Sequence, residues 1–310
     1  MGNVQQPTDP GFSLAHGRIC VVLAAILWST SGGFTKLLTQ PTIFHLNEPG
    51  LSGLQIAFAR VLFAGLALSP LLRRRDLTFR PAMLATAITF AAMNALFVSA
   101  LALGSAANAI LLQYTAPMWM YLIAVTWLHE SADRRGAVTL AIGMIGIAII
   151  IGGGVFDTRE VGQLPVILLA LGSGVTYAGV LVGLRVLRDV SSRWLTVFNQ
   201  IVSAAVLLPF VWSNTAPTAA QLLVLFIYGT FQLALPYWLV ARGLRRVSPQ
   251  EAGTLTLLEP LLNPLWAYLV SPGTEKPSLW TLAGGCFILG GLAYRYWPQR
   301  PPLLEAKDPS

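Results

Sequence analysis

Charge is the commodity this chain has least of. Asp, Glu, Lys and Arg make up 11% of its 310 residues while 55% are hydrophobic, against roughly 25% charged in an average soluble domain. That scarcity excludes an ordinary soluble protein. Cysteine is almost missing too. Cys20 and Cys286 stand alone in apolar segments, and two such residues with no spacing motif make neither a disulfide framework nor a metal site. The three histidines, His16, His45 and His129, lie at segment ends or in loops. No phosphate-binding Gly-Lys-Ser loop, no metal-ligand spacing and no nucleophile–base set occurs inside the apolar runs. The expectation is therefore a protein that is not an enzyme and carries no cofactor and no metal.

The net charge of +7 does not bring nucleic acid back as a partner. The basic residues are poorly mixed with stacking aromatics outside the apolar runs, and cytoplasmic loops of membrane proteins are rich in Arg and Lys for their own reasons.

What the chain does have is long apolar runs. About 20 such residues span a bilayer as a helix, whereas an outer-membrane barrel alternates over strands of about 10. Ten spans are expected, at 18–39, 51–72, 81–102, 106–128, 136–154, 163–184, 193–212, 218–240, 250–270 and 279–297. Residues 1–16 are polar and read as a flexible cytoplasmic N-terminus, and 298–310 as a cytoplasmic tail. The first run is too long for a signal-peptide core. The basic residues test this count. Placing both termini and the even-numbered loops on one side gives that side sixteen Lys and Arg; the other holds Lys36, Arg159 and Lys276, and Arg60 falls inside the second span. The asymmetry predicts a multi-pass protein of the cell inner (plasma) membrane with both termini in the cytoplasm.

The two halves resemble each other. With Pro117 set on Pro260, Leu101 falls on Leu244, Ser105 on Ser248, Ala109 on Ala252 and Leu112 on Leu255; "TLAIG" (139–143) matches "TLAGG" (281–285). Trp28 precedes Lys36 by eight residues, as Tyr177 precedes Arg185. Two repeats of five helices, 17–154 and 160–297, must enter the membrane in opposite senses because five is odd. The predicted fold is an all-α membrane protein with ten transmembrane helices as two inverted five-helix repeats, an arrangement of secondary transporters that places the substrate near mid-membrane.

The stretches "LWSTSGGFTKLL", "SAANAILLQYTAPMWMYLIAVTWLHES" and "VSPQEAGTLTLLEPLLNPLWAYL", the last followed by Glu275, carry a resemblance to the drug/metabolite transporter superfamily, specifically its EamA-type ten-helix carriers. It covers about 18–297. The link "SPGTEKPS" departs from the family pattern by extra residues before its acid. The resemblance implies a central cavity lined mainly by helices 1, 3, 4, 6, 8 and 9, with no organic cofactor and no ATP site. Known members include exporters of amino acids, among them YddG-like aromatic amino-acid exporters, and exporters of other metabolites.

The chemistry sits where charge is least expected. Thr256, Glu259, Asn263 and Trp266 are spaced by three, four and three, which places them on one helix face. Pro260 and Pro264 each free a carbonyl four residues back. An acid at a helix centre costs about 2.5 kcal/mol or more on insertion scales and is functional by default. Glu259 reads either as a sensor of a substrate amine or a proton, or as a structural group that caps broken backbone or pairs with Arg60. Arg60 itself needs an interior carboxylate or carbonyl partner. Lys36 either snorkels at the outer end of its helix or binds a carboxylate at the outer mouth.

Candidate cavity residues are Trp28, Asn94, Gln113, Tyr114, Trp119, Tyr177, Gln232, Tyr237, Trp238, Glu259 and Asn263. Any one polar member can equally serve as interhelical glue. Gly33, Pro117, Pro236, Pro260 and Pro264 are candidate gating or kink positions, although glycine in such helices also serves close packing. The deep aromatics suit planar or apolar substrates and an ammonium group. Aromatic belts at span ends, including Trp194, Trp212, Trp280 and Tyr296, belong to the membrane interface. The expected function is export of amino acids, aromatic or large apolar ones, by alternating access. Rivals are export of other metabolites or drugs on the same fold, a channel, or a non-transporting sensor. The expected partners are a small-molecule substrate and the lipid bilayer; no feature of the sequence encodes an oligomeric state.

Overall fold

The computed structural model describes residues 13–127, 129–156 and 163–297, and every regular element among them is helical. The expected mobile N-terminus lies outside the described residues up to position 12, and so does the tail from 298 onward. Ten membrane-crossing rods follow one another: α1 (Leu14–Thr39), α2 (Gly53–Leu71), α3 (Pro81–Leu103), α4 (Ala106–Thr126), α5 (Arg134–Phe156), α6 (Leu164–Val186), α7 (Ser192–Val211), α8 (Ala219–Gly243), α9 (Pro249–Thr256 continued by Leu258–Val270) and α10 (Leu279–Tyr296). Eight of them are long and apolar enough to cross a membrane on length and composition alone. The other two are α9, whose interior holds Glu259, Asn263 and two prolines, and the 18-residue α10.

Local chemistry starts and breaks the rods. Ser105 and Ser248, matched in the repeat, are the N-caps of α4 and α9, accepting from Asn108 N at 3.1 Å and Glu251 N at 3.2 Å. A side-chain oxygen there satisfies a backbone donor that the first turn leaves orphaned. Both helices then break three residues before a proline, α4 at Tyr114 before Pro117 and α9 at Leu257 before Pro260, because proline supplies no N–H and its ring clashes with the carbonyl four residues back. Before Pro236, α8 instead widens into a π-helical segment at Tyr228–Ala234, a distortion frequent at functional sites. α1 breaks at Thr30, just before Gly32 and Gly33.

The halves are inverted copies. Where matching helices touch, they run antiparallel. Thr139 of α5 donates to the Gly291 carbonyl of α10 at one end, while Gly153 packs on Trp280 at the other. On α2 and α7, Ser52 meets Asn214 and Gly65 meets Ile201. On α4 and α9, Ala106 reaches the link after α9 and Tyr114 reaches Glu259. The main packing pairs are α5–α10, α2–α7, α3–α6 with α1–α8, α3–α7 with α2–α8, and α4–α6 with α1–α9. Exchanging each helix for its mate leaves this set unchanged.

The largest break in the symmetry is that α2 packs along α3, whereas their mates α7 and α8 do not pack along each other. Two faces result. One carries Arg73, Arg134, Arg185, Arg193, Arg242 and Arg295, and the far face carries Lys36 and Glu275.

Candidate functional site

The gap between α7 and α8 holds a cavity of 1030 Å³. Phe90, Asn199, Gln200 and Tyr237 form its deeper part; Arg73, Arg193, Arg242 and Arg245 line its mouth on the arginine-rich face. Among the described residues its lining includes no acidic residue and none from the far-face loops. It belongs to α3, α6, α7 and α8, so α7 replaces α1, α4 and α9 of the set the family resemblance implied. A smaller cavity of 270 Å³ lies between α4, α6 and α10 and includes Pro117, Tyr121, Arg185 and Tyr296.

Glu259 is half-buried and is not among the described lining of either cavity. The Tyr114 hydroxyl lies 2.7 Å from Glu259 Oε2 and 2.9 Å from the Thr256 carbonyl, the one Pro260 frees. A phenol has a single proton. With the carboxylate ionised, Tyr114 donates to it. With the acid protonated, Glu259 donates to the phenol oxygen and Tyr114 turns to Thr256. The break in α9 and the charge on Glu259 therefore share one hydrogen bond. Tyr177 and Tyr237 lie close enough to interact electrostatically with Glu259, and Tyr237 meets Trp28 edge-on at 5.5 Å. Tyr296, read from sequence as an interface residue, joins this aromatic group beside Tyr114 and Tyr177.

Arg60 is buried on α2. It donates to Asn94 Oδ1 at 2.5 Å and to the Tyr228 hydroxyl at 3.3 Å, with its guanidinium 5.4 Å from the Tyr228 ring centre and 5.9 Å from that of Phe97. No ion pair joins it to Glu259 among the described residues, though its charge bears on both Glu259 and Tyr237. Tyr228 is fully buried, bonded to Thr35 Oγ1 at 3.0 Å and to the Ser31 carbonyl at 3.1 Å, and stacked on Phe34. Nothing in the run "LVLFIYGTF" distinguishes it from its apolar neighbours, and only its tertiary partners mark it.

The remaining candidates are dispersed. Tyr237 and Trp238 line the large cavity, and Trp238 carries the Arg242 guanidinium 4.8 Å from its ring centre. Gln232 donates to the Trp28 carbonyl, Asn263 to Ser31 Oγ and Trp119 to Thr115 Oγ1. Trp266 donates to Ser29 Oγ, so the lower part of the Glu259 face clamps the α1 break. Gln113 is buried at the α4 break. Gly33 lets Trp266 approach, since a methyl there would stand 3.3 Å from its Cβ. Pro236 and Pro260 are buried at the α8 and α9 distortions, with Pro264 one turn beyond.

The far face is closed by an ion pair. Lys36 Nζ lies 2.7 Å from Glu275 Oε1 and donates to the Gly104 carbonyl at 2.6 Å; Glu275 Oε2 accepts from Ala106 N at 2.9 Å. Both side chains are 3% exposed. Their counterparts in the inverted half are Arg185 and Glu130, 2.8 Å apart on the arginine-rich face and 51% and 41% exposed.

Comparison with known proteins agrees with this architecture. The EamA-like transporter family matches residues 16–152 and 164–296. An uncharacterized transporter of Archaeoglobus fulgidus is 26% identical over 280 residues, 90% of this chain and 96% of its own length. The uncharacterized transporter YwfM of Bacillus subtilis is 24% identical over 297 residues, 92% and 96% of the two chains. An uncharacterized transporter of Haemophilus influenzae is 32% identical over 134 residues, 41% of this chain and 78% of its own. A solved crystal structure superposes with a TM-score of 0.59 at 18% identity, covering 91% of this chain and 98% of that one, a likeness of fold.

Proposed function

The chain belongs to the EamA-like transporter family, and from that premise we propose that it is a plasma-membrane secondary carrier that exports amino acids, aromatic or large apolar ones, by alternating access. Its arginine-rich face is cytoplasmic by the distribution of basic residues, and the repeat units are 17–154 and 160–297. The observation that carries the reading is the contrast between matching ion pairs: Lys36–Glu275 is sealed while Arg185–Glu130 is wet. Inverted repeats exchange conformations by exchanging such environments. A cavity lined at its mouth only from the arginine-rich face is the inward-open member of that exchange, and a channel needs no such closure. The aromatic group around Glu259 supports the substrate class, since rings stack on planar side chains and a carboxylate receives an ammonium group. Trp28, Tyr114, Tyr177, Tyr237, Trp238 and Glu259 form the substrate pocket. Asn94, Gln113, Trp119, Gln232 and Asn263 hold its walls, with Gly33, Pro117, Pro236, Pro260 and Pro264 at the moving joints.

Counterflow in proteoliposomes across the twenty amino acids tests this. Saturable exchange of aromatic and large apolar members is expected, and the Glu259→Gln variant is expected to lose at least tenfold in exchange rate. The amide can still donate to Tyr114 and leave Tyr114 to Thr256, so insertion and monodispersity are preserved. Exchange of no amino acid by the wild-type protein overturns the substrate class, and flux that does not saturate overturns the carrier reading.

A further inference from the structure

A guanidinium cannot shed its charge inside a protein, so a buried arginine draws an anion or carbonyl oxygens to it. Arg60 is 3% exposed and has no anion bonded to it among the described residues: its acceptors are an amide oxygen and a phenol, and its Nε has no partner. The nearest ionisable groups bearing on that region are Glu259 on α9 and the hydroxyls of Tyr228 and Tyr237 on α8; Glu259 is held by Tyr114. Unsatisfied donors continue from Arg60 toward the large cavity. Among the described residues Asn94 Nδ2 has no partner, and neither does Gln200 Nε2 or Oε1, although Gln200 is wholly buried. Gln200 lines the cavity and its Cβ packs 3.2 Å from where a Cβ on Gly65 would sit. Gly65 is five residues along α2 from Arg60, about 7.5 Å at 1.5 Å per residue. Phe90, on the cavity wall, lies one turn of α3 from Asn94. The cavity, behind a mouth lined by arginines, thus reaches Gln200, and beyond its wall Arg60 is met only by neutral groups: the Asn94 oxygen, the Tyr228 hydroxyl and the rings of Tyr228 and Phe97.

We propose that Arg60 anchors a carboxylate of the transported molecule, with Gln200 donating to it on the way in. Resting on the amino-acid reading above, this makes the substrate a zwitterion lying between two fixed poles, its carboxylate toward Arg60 and its ammonium toward Glu259. Asn94 and Tyr228 hold the guanidinium in place until the anion arrives. Apolar fit alone does not decide selection: a molecule with the same ring but no carboxylate leaves Arg60 unpaired.

The test uses wild-type proteoliposomes exchanging labelled phenylalanine, with phenylalaninamide, phenethylamine and 3-phenylpropionate as competitors. Phenylpropionate is expected to compete, and the two carboxylate-free compounds to be weaker than phenylalanine by about tenfold or more, the scale of one buried charge-assisted hydrogen bond. Arg60→Lys should keep the preference with a raised KM, and Arg60→Gln should erase it. Equal competition by phenylalaninamide and phenylalanine in the wild type, or a preference surviving in Arg60→Gln, overturns the anchor. A wild type that exchanges no amino acid sinks the substrate reading instead; thermal stabilisation of the purified protein then decides the anchor. Stabilisation by phenylpropionate but not phenethylamine, abolished in Arg60→Gln, supports it, and equal effects of acid and amine overturn it. Where Arg60→Gln is not monodisperse, Arg60→Lys and the wild-type ligand series carry the decision.

Discussion

Gly146 on α5 and Gly284 on α10 meet backbone to backbone: a methyl group built on either would lie 2.6 Å from the carbonyl oxygen of the other. Ile288 and Ile150, each four residues further along its own helix, close over the contact at 2.8 and 2.6 Å from those same positions. Without a hydrophobic driving force between helices in lipid, close approach of small residues and dispersion hold such a pair. The fifth helix of each half is thereby locked to its mate, and the cavity opens elsewhere, between α7 and α8.

Gly146→Ala should therefore lower the thermal unfolding midpoint in detergent. The nearest neighbour is the Gly284 carbonyl oxygen, a backbone atom that cannot move aside, and overpacking of this kind costs about 1–3 kcal/mol. Gly290→Ala is the control, since nothing lies within 4 Å of its added methyl, and it should leave the midpoint unchanged or raise it. Equal midpoints for the two variants would remove the locking role of the α5–α10 contact.

The Lys36–Glu275 pair makes a second prediction. Removing one partner of a buried pair strands the other charge and costs about 3–5 kcal/mol, whereas removing both costs far less. Lys36→Ala should accordingly loosen the far face, and Lys36→Ala with Glu275→Ala should restore much of the closure. A single cysteine at Ser271, buried and bonded to Thr274 beside the latch, in a background lacking Cys20 and Cys286, reports it by maleimide labelling. Faster labelling in the single variant than in the double variant is expected; identical rates in all three proteins would dismiss the latch.

The sequence carried some of this plainly and some not at all. Ser105 and Ser248 were legible as equivalents because a cap is a local device, and the antiparallel mates follow from an odd number of helices per repeat. Lys36 and Glu275 could each be singled out, but their pairing joins α1 to the α9–α10 link, and periodicity does not encode such a contact. The partner of Arg60 was expected to be a carboxylate or a carbonyl. The side-chain carbonyl oxygen of Asn94 meets that expectation, with the Tyr228 phenol beside it, while Glu259 bonds to Tyr114. The three-four-three face of α9 is indeed one face, yet it divides its work: Glu259 meets Tyr114, while Asn263 and Trp266 clamp Ser31 and Ser29 across the α1 break. Which helices part to form the cavity depends on a difference between mates, and two similar sequences cannot announce it.

Asp133, outside the spans at the start of α5, gives a pH dependence whose sign is fixed. Both of its carboxylate oxygens accept from Arg295 Nη1, at 2.7 and 2.8 Å, and one also accepts from Gly136 N at 2.7 Å. The Arg295 guanidinium first, and the Gly136 amide second, hold the carboxyl below the usual aspartate range. A group with a depressed folded pKa binds its proton more readily when unfolded. Its contribution is complete above the ordinary value of about 3.9 and is lost as pH falls from there through the folded value. The side chains are substantially exposed, so salt screens the pair and the effect is modest. The midpoint difference between wild type and Asp133→Asn should stay constant from about pH 7 down to about pH 5, shrink below about pH 4, and narrow in high salt at neutral pH. A difference that persists undiminished to about pH 3 would show that Asp133 stabilises the α5–α10 end by something other than its charge; capping of α5 through Gly136, which an asparagine oxygen does equally well, cancels in the comparison.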